Sequence, residues 1–253
     1  MRAQVFGLAL DLLDFDASLA RCVELVEAGE SAQHVVINAG KVVLAHDNPE
    51  LADSINRADI VNADGMAVVW AGRFLGAPVP ERVAGIDLMA ALLGEAEARA
   101  WPVYFLGARR EVLDRFLGTV RDRYPSLVVA GASDGYFADA RCAADQVRSS
   151  GARLLFLGMS SPMKEQFVAA HLEALGPLLS FGVGGSFDVW AGETSRAPRW
   201  MQNAGLEWLY RLLQEPGRMW KRYLVGNTRF VVLTVGERIR GNVWRPEGEN
   251  RGT

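Results

Sequence analysis

The sequence predicts an α/β protein with a mainly parallel, doubly wound sheet and a helical appendage at its C-terminus. Three observations carry this. Short apolar stretches of strand length alternate with stretches of helical period along the middle of the chain. Nearly every apolar stretch ends in glycine or a small polar residue. From residue 196 onward the composition turns basic and aromatic.

The N-terminal "MRAQVFGLALDLLDFDASLA" reads as a first strand. Asp11 and Asp14 interrupt its apolar run and no small-residue cleavage site follows, so it is not read as a signal peptide. "HVVINAG" and "ADIVNADG" are the next two strands, and "MAVVWAGRFLG" is a helix after the second. "PVYFLGA" is a buried-strand pattern, followed by the helical "RREVLDRFLGTVRDRYP". "LVVAGASDGYF" is a strand and turn, and "ADARCAADQVRSSG" a helix stopped at Gly151. "RLLFLGMSS" is a strand; "PMKEQFVAAHLEALG" is a helix with Pro162 in its first turn and Gly176 as its stop. "LLSFGVGGSFD" is the last strand. Strands separated by helices in this way call for a parallel sheet.

The chain has 253 residues, 50% of them hydrophobic. That suits an α/β core over residues 1–195 with a helical appendage over 196–253. No apolar run reaches the length of a membrane span. Cys22 and Cys142 have no CxxC spacing and read as reduced core thiols of a cytosolic protein. The net charge is −3, unevenly spread. Residues 196–240 carry nine Lys/Arg against Glu207, Glu215 and Glu237, a basic tail on an acidic body that points to an anionic partner.

In doubly wound sheets, ligands bind outside the carboxyl ends of the strands. Those ends are here polar and glycine-rich: Asn38-Ala39-Gly40, Asp64-Gly65, Gly107, Asp134-Gly135, Gly158, and Gly182 to Gly185. Glycine lets backbone N–H groups approach an anion, and it also simply ends strands. Neither GxGxxG nor GxxxxGK[ST] is present, which argues against a nicotinamide oxidoreductase and a P-loop enzyme. Asp64 either caps the helix that follows Gly65 or serves as a general base at the mouth of the sheet. Arg82 either grips a phosphate through its planar fork or is a solvated loop residue. Asn38 either orients a sugar hydroxyl or closes its own turn. His34, His46 and His171 share no metal-ligand spacing, and no loop carboxylate pair offers a seat for a divalent ion.

Taken together, "INAGKVVLAHDNPELADSINRADIVNADGMAVVWAGRFLGAPVPERVAGIDLM", "VYFLGA", "DGYF", "SSPMKEQF" and "GVGGSFDVWAGETSRAPRWMQNAGLEWLYRLLQEPGRMWKRYLVGNTRF" resemble the WecG/TagA/CpsF glycosyltransferase family over roughly residues 30 to 235. The resemblance implies a Rossmann-like core. It also implies an inverting, metal-independent transfer without cofactor. The sugar, N-acetylmannosamine-type or a uronic acid, passes from a UDP-sugar to a polyprenyl-diphosphate-linked saccharide. The setting is bacterial cell-surface polysaccharide synthesis at the cytoplasmic face of the membrane. Asp64 matches the family's proposed base, and Asn38 and Arg82 match its sugar- and phosphate-contacting positions. The diphosphate is expected over Gly107, Gly158, Gly184 and Gly185. Tyr136, Lys164, Glu165 and Asp188 are expected near the nucleotide or sugar. One departure stands out: the family's P-x-Q-E reads Pro162-Met163-Lys164-Glu165 here, a cation in place of an amide.

In the appendage, Trp208, Leu209 and Leu212 make an apolar stripe, Pro216 breaks or restarts the helix, and Trp220, Tyr223 and Leu224 resume the pattern. This is either a core-packed terminal helix or a peripheral membrane anchor. On the second reading, Arg211, Arg218 and Lys221 hold diphosphates near an anionic membrane surface. No nucleic-acid partner is expected, and homo-oligomerisation is left open. A non-catalytic nucleotide-sugar-binding subunit is the alternative to an enzyme.

Overall fold

The computed structural model describes residues 1–244, apart from the side chains of residues 203, 218, 219 and 221–223. Arg218 and Lys221 therefore lie outside the described side chains, as does everything beyond residue 244.

The first two strands, β1 (Arg2–Val5) and β2 (Leu8–Asp11), form an antiparallel hairpin. This corrects the expectation of a single first strand. Phe6 and Gly7 both adopt positive φ, which closes the tight turn between the two strands. The hairpin covers an edge of the main sheet: Val61 N–H donates to Asp11 Oδ2 (2.8 Å) and Arg2 Nη2 to the Asp59 carbonyl (2.8 Å). An uncovered strand edge would be a site for unwanted pairing.

The main sheet holds β3 (Ala32–Ile37), β4 (Ile60–Ala63), β5 (Val103–Gly107), β6 (Val129–Ser133), β7 (Leu154–Gly158) and β8 (Leu179–Gly182). All five pairings are parallel, in the order β4-β3-β8-β7-β5-β6. Helices flank it on both faces. α1 (Phe15–Ala28) begins with Asp14 accepting the Ala17 N–H and ends at the left-handed Gly29. α2 (Ala39–Asp47) and α3 (Pro49–Arg57) connect β3 to β4; α4 (Met66–Phe74) and α5 (Gly85–Ala98) connect β4 to β5. α6 (Arg110–Arg123), α7 (Ala140–Ser149) and α8 (Met163–Leu175) make the later crossovers.

Alternation along β5 assigns the two faces. Val103 and Phe105 join one core with Leu113 and Phe116 of α6; Tyr104 and Leu106 join another with Phe167 and Val168 of α8. The paired strands β5 and β7 thus lead into helices on opposite faces. This is the switch point beside which such sheets open a crevice. Both cysteines lie in helices, but only Cys22 is buried. Cys142 is exposed, so it is not a core thiol.

Beyond β8 come α9 (Ser186–Trp190), α10 (Arg199–Asn203), α11 (Glu207–Gln214) and α12 (Pro216–Ile239). Pro216 restarts the helix rather than merely bending it, because Glu215 leaves helical geometry (φ −130°, ψ 62°). α11 buries no residue. α12 returns to the body: Phe230 is buried, and Arg229 forms a two-pronged bond to Asp47 of α2 (2.7 and 2.8 Å). No described helix is long and apolar enough to cross a membrane.

Candidate active site

Two adjacent strand ends start the site. Asp64 follows β4 directly, and its N–H donates to the Ile37 carbonyl at the end of β3 (2.8 Å). Asn38 is thereby set beside it. The Asn38 Oδ1 accepts the Lys41 N–H (3.0 Å), capping α2, so its oxygen closes its own turn. Gly65 adopts φ 159°, and a Cβ there would stand 3.7 Å from Asn38 Cβ. Asp64 does not cap α4: the residue at that cap is Gly65, with no side-chain bond. The capping alternative for that helix is thus set aside.

Half-buried Asp64 has a carboxyl raised above its ordinary value. Burial is the main cause and Glu207 adds to it; Arg82, Lys41 and the Gly85 N–H oppose. A desolvated carboxylate is a stronger base than one in water. Arg82 stands in the loop ahead of α5 and donates from Nη1 to Glu207 Oε2 of α11 (2.8 Å). It is therefore no solvated loop arginine; its side chain is only 12% exposed. Close by, Arg196 grips Asp87 in the first turn of α5 with two bonds (2.5 and 2.6 Å), and its charge also acts on Asp64 and Glu207. None of Lys41, Glu207, Asp87 or Arg196 stands out in the sequence.

The glycines at the other strand ends divide into two kinds. A Cβ on Gly107 would lie 2.5 Å from the Gly158 backbone, and one on Gly158 would lie 2.3 Å from the Phe187 ring. Close packing demands glycine at Gly158, and at Gly107 close packing and a positive φ of 141° both demand it. Gly184 differs. It has φ 53° and nothing within 4 Å of a Cβ, so its turn opens to space. Gly185 meets only Asp188 Oδ2 (3.6 Å) and Arg211 Nη2 (3.7 Å). Arg211 of α11 thus lies over the glycine turn that leads into α9. One open, backbone-lined turn with a guanidinium above it is suited to an anion.

Lys164 and Glu165 sit in the first turn of α8, buried against the sheet. Glu165 Oε1 takes a bond from Lys41 Nζ (2.7 Å) and one from Ser161 Oγ (3.0 Å), and Lys164 Nζ lies 3.3 Å away. Lys164 Nζ also donates to Ser161 Oγ (2.7 Å). A Cβ on Gly182 would come within 2.9 Å of the Lys164 stem, so this glycine makes its room. Burial and neighbouring Lys41 push the Lys164 ammonium down to about 8. Burial by itself would raise Glu165, but Lys41 and Lys164 outweigh it and hold the carboxyl at about 2.

Tyr136 is three-quarters exposed beyond β6. Five strand intervals separate β4 from β6, roughly 24 Å at the usual spacing. The structure therefore brings Asn38, Asp64, Arg82 and, through α11, Arg211 toward one rim, and leaves Tyr136 at its far end.

A family model described as "Glycosyl transferase WecG/TagA/CpsF family" matches residues 3–243. A Bacillus spizizenii protein named N-acetylglucosaminyldiphosphoundecaprenol N-acetyl-beta-D-mannosaminyltransferase is 36% identical over 180 residues, 71% of this chain and 70% of the relative. A Bacillus subtilis protein of the same name is 32% identical over 202 residues, 76% of this chain and 78% of the relative.

Proposed function

The chain belongs to this glycosyltransferase family, and on that premise we propose that it moves an N-acetylmannosamine-type sugar or a uronic acid from a UDP-sugar to a polyprenyl-diphosphate-linked saccharide, with inversion and without a metal. The observation that carries the site assignment is the half-buried Asp64 carboxylate beside Arg82, on the rim that also holds the open Gly184–Gly185 turn. Asp64 takes the proton of the acceptor hydroxyl as that oxygen bonds to the anomeric carbon. The bond from that carbon to UDP breaks on the opposite face, and its electrons leave with the diphosphate. The growing negative charge is met by the guanidinium of Arg211 and by the Gly185 N–H; the neighbouring Gly184 and Ser186 N–H groups already donate to the Leu157 and Val183 carbonyls (3.3 and 3.2 Å). Arg82 gives one N–H to Glu207, which leaves other edges of its fork for an anion. Asn38 lies beside the base, where its amide can orient the sugar. Tyr136, exposed beyond β6 at the far end of the sheet, is read as a contact for the nucleoside end of the donor.

The appendage supports a peripheral attachment to the cytoplasmic face of an anionic membrane. Trp200, Leu213 and Leu224 are each more than 60% exposed, and the segment is basic. Trp and basic residues favour a membrane interface. Glu207 ties α11 to Arg82, so attachment and catalysis share an element.

The test is direct. The protein is incubated with UDP-N-acetylmannosamine, its uronic-acid counterpart or UDP-N-acetylglucosamine, together with a polyprenyl-diphosphate-linked N-acetylglucosamine. Products are read by mass spectrometry, with and without EDTA. A mass gain of one N-acetylmannosamine or one uronic acid, unaffected by EDTA, is expected. No transfer from any donor, or transfer that EDTA abolishes, overturns the reading.

A further inference from the structure

The catalytic reading does not use the buried charges under the rim. Lys41, Glu165 and Lys164 have side chains 5%, 1% and 8% exposed. All meet at one oxygen, Glu165 Oε1, at 2.7 Å from Lys41 and 3.3 Å from Lys164. Two cations thus share one carboxylate, and one positive charge is left over in a buried place. An uncompensated charge there is costly unless another charge answers it.

The structure offers that counter-charge. Lys41 follows Asn38 by three residues in the first turn of α2, and Asn38 adjoins the Asp64-Gly65 turn. The charges that act on Asp64 are Arg82 from the loop before α5, Glu207 from α11, Lys41 from α2, Lys164 from α8 and Arg196 from the segment before α10. The Gly85 N–H acts on it as well. Arg82 is answered by Glu207 and Arg196 by Asp87. Glu165 answers one of the two lysines. The remaining positive charge matches Asp64.

We propose that the buried Lys41–Glu165–Lys164 triad is an electrostatic positioning element that keeps the Asp64 carboxylate ionised and ready to accept a proton. It rests on Asp64 being the base. The lysines act through the low-dielectric interior, not by touching substrate: the Lys41 ammonium is taken up by Glu165, and the Lys164 ammonium is shared between Ser161 and Glu165. This gives the cation at position 164, where the family carries an amide, a role apart from contact with the sugar. Removing one lysine leaves Glu165 paired with the other, so the triad loses its surplus charge without leaving a buried carboxylate alone.

The experiment is the pH profile of kcat/KM for transfer to the lipid-linked acceptor. It compares the wild type with Lys41→Met, Lys164→Met and Lys41→Arg. The acid limb reports the base in the free enzyme. In either methionine variant the limb should move up by about one pH unit, about a tenfold loss on the acid side and little at high pH. One pH unit is what one unit charge supplies from roughly 10 Å at an effective dielectric of about 20. Lys41→Arg should leave the limb in place. A limb unmoved in a folded methionine variant overturns the proposal, and either variant suffices if the other fails to fold. A uniform loss at every pH also overturns it, since that marks a binding or purely structural role. The Asp64→Asn enzyme separates the two layers. If it retains wild-type turnover, the base assignment falls; if it is inactive while the methionine variants keep the wild-type limb, only the triad proposal falls.

Discussion

The β3–β4 end of the rim and the β5–β7–β8 end are built from opposite materials. The first is crowded with ionisable side chains: Asp64, Arg82, Lys41 and, from α11, Glu207. At the second the strand ends themselves are bare backbone, with Gly107, Gly158, Gly182, Gly184 and Gly185 in succession, while Lys164 and Glu165 lie buried beneath and Arg211 lies above. Within the bare end there is a further division. Gly107 and Gly158 are glycine because strand and ring press on them, whereas Gly184 and Gly185 face open space or a guanidinium. A proton must be moved by a side chain held at a set potential, but a diphosphate can be held by N–H groups that need room. The contrast teaches that glycine at a strand end is informative only when its Cβ direction is open.

The largest effect is expected at the charged end. Asp64→Asn should lower turnover by roughly 10² to 10⁴-fold, the usual worth of a general base, with the melting temperature nearly unchanged. A large melting loss at normal turnover would return Asp64 to a structural role.

Beneath the same end, His34 makes a stability prediction. Its Nε2–H donates to Asn62 Oδ1 (2.8 Å), since the Asn62 amide nitrogen is committed to Ser18 Oγ (3.0 Å). Burial holds the imidazole down at about 4, against a partial rise from that bond. The folded form thus stays neutral where the unfolded chain takes a proton. Stability from this residue is complete above about pH 6.5 and falls as pH drops toward 4, by about 3 kcal/mol in all. Denaturant titrations of wild type and His34→Gln across that range should differ in slope; equal slopes would contradict the neutral buried histidine.

The bare end is sharpened by two alanines. Gly158→Ala must push on the Phe187 ring and should cost about 1–3 kcal/mol of stability. Gly185→Ala has room; it should melt normally and raise the donor KM. If both variants behave alike, the division of the glycines is wrong. The smallest effect lies at the junction. Glu207→Gln should cost under about 1 kcal/mol, as a partly exposed pair does, yet loosen α11 enough to show as faster proteolysis near residue 207. Unchanged proteolysis would remove Glu207 as the tether.

Much of this fold was legible in the sequence because buried parallel strands such as "VYFLG" and "LLFLG" are continuous apolar runs bounded by glycine. The N-terminal hairpin was not, since its two strands of four residues are joined by a turn at Phe6 and Gly7, without the Asn-Gly or Asp-Gly signal. Asp64 and Asn38 could be singled out because turns that end strands are where side chains reach a cleft; Arg82, in the loop between α4 and α5, was singled out by its match to the family's phosphate-contacting position. Lys41 could not: it sits in "AGKVVLAHD", and only the tertiary contact with Glu165, 124 positions later, explains a lysine among buried valines. Glu207 and Arg82 are likewise 125 positions apart, and nothing local couples them. The packing need of Gly158 was also hidden, because the ring that presses on it belongs to α9.

On the proposed division of the rim, the charged end performs the proton transfer while the glycine end holds the donor. Calorimetric titration of UDP into Asp64→Asn protein separates the two roles. A Kd within about twofold of wild type is expected in a protein that has lost its turnover. A Kd weakened by about tenfold or more would place Asp64 in donor binding and contradict the division of the rim.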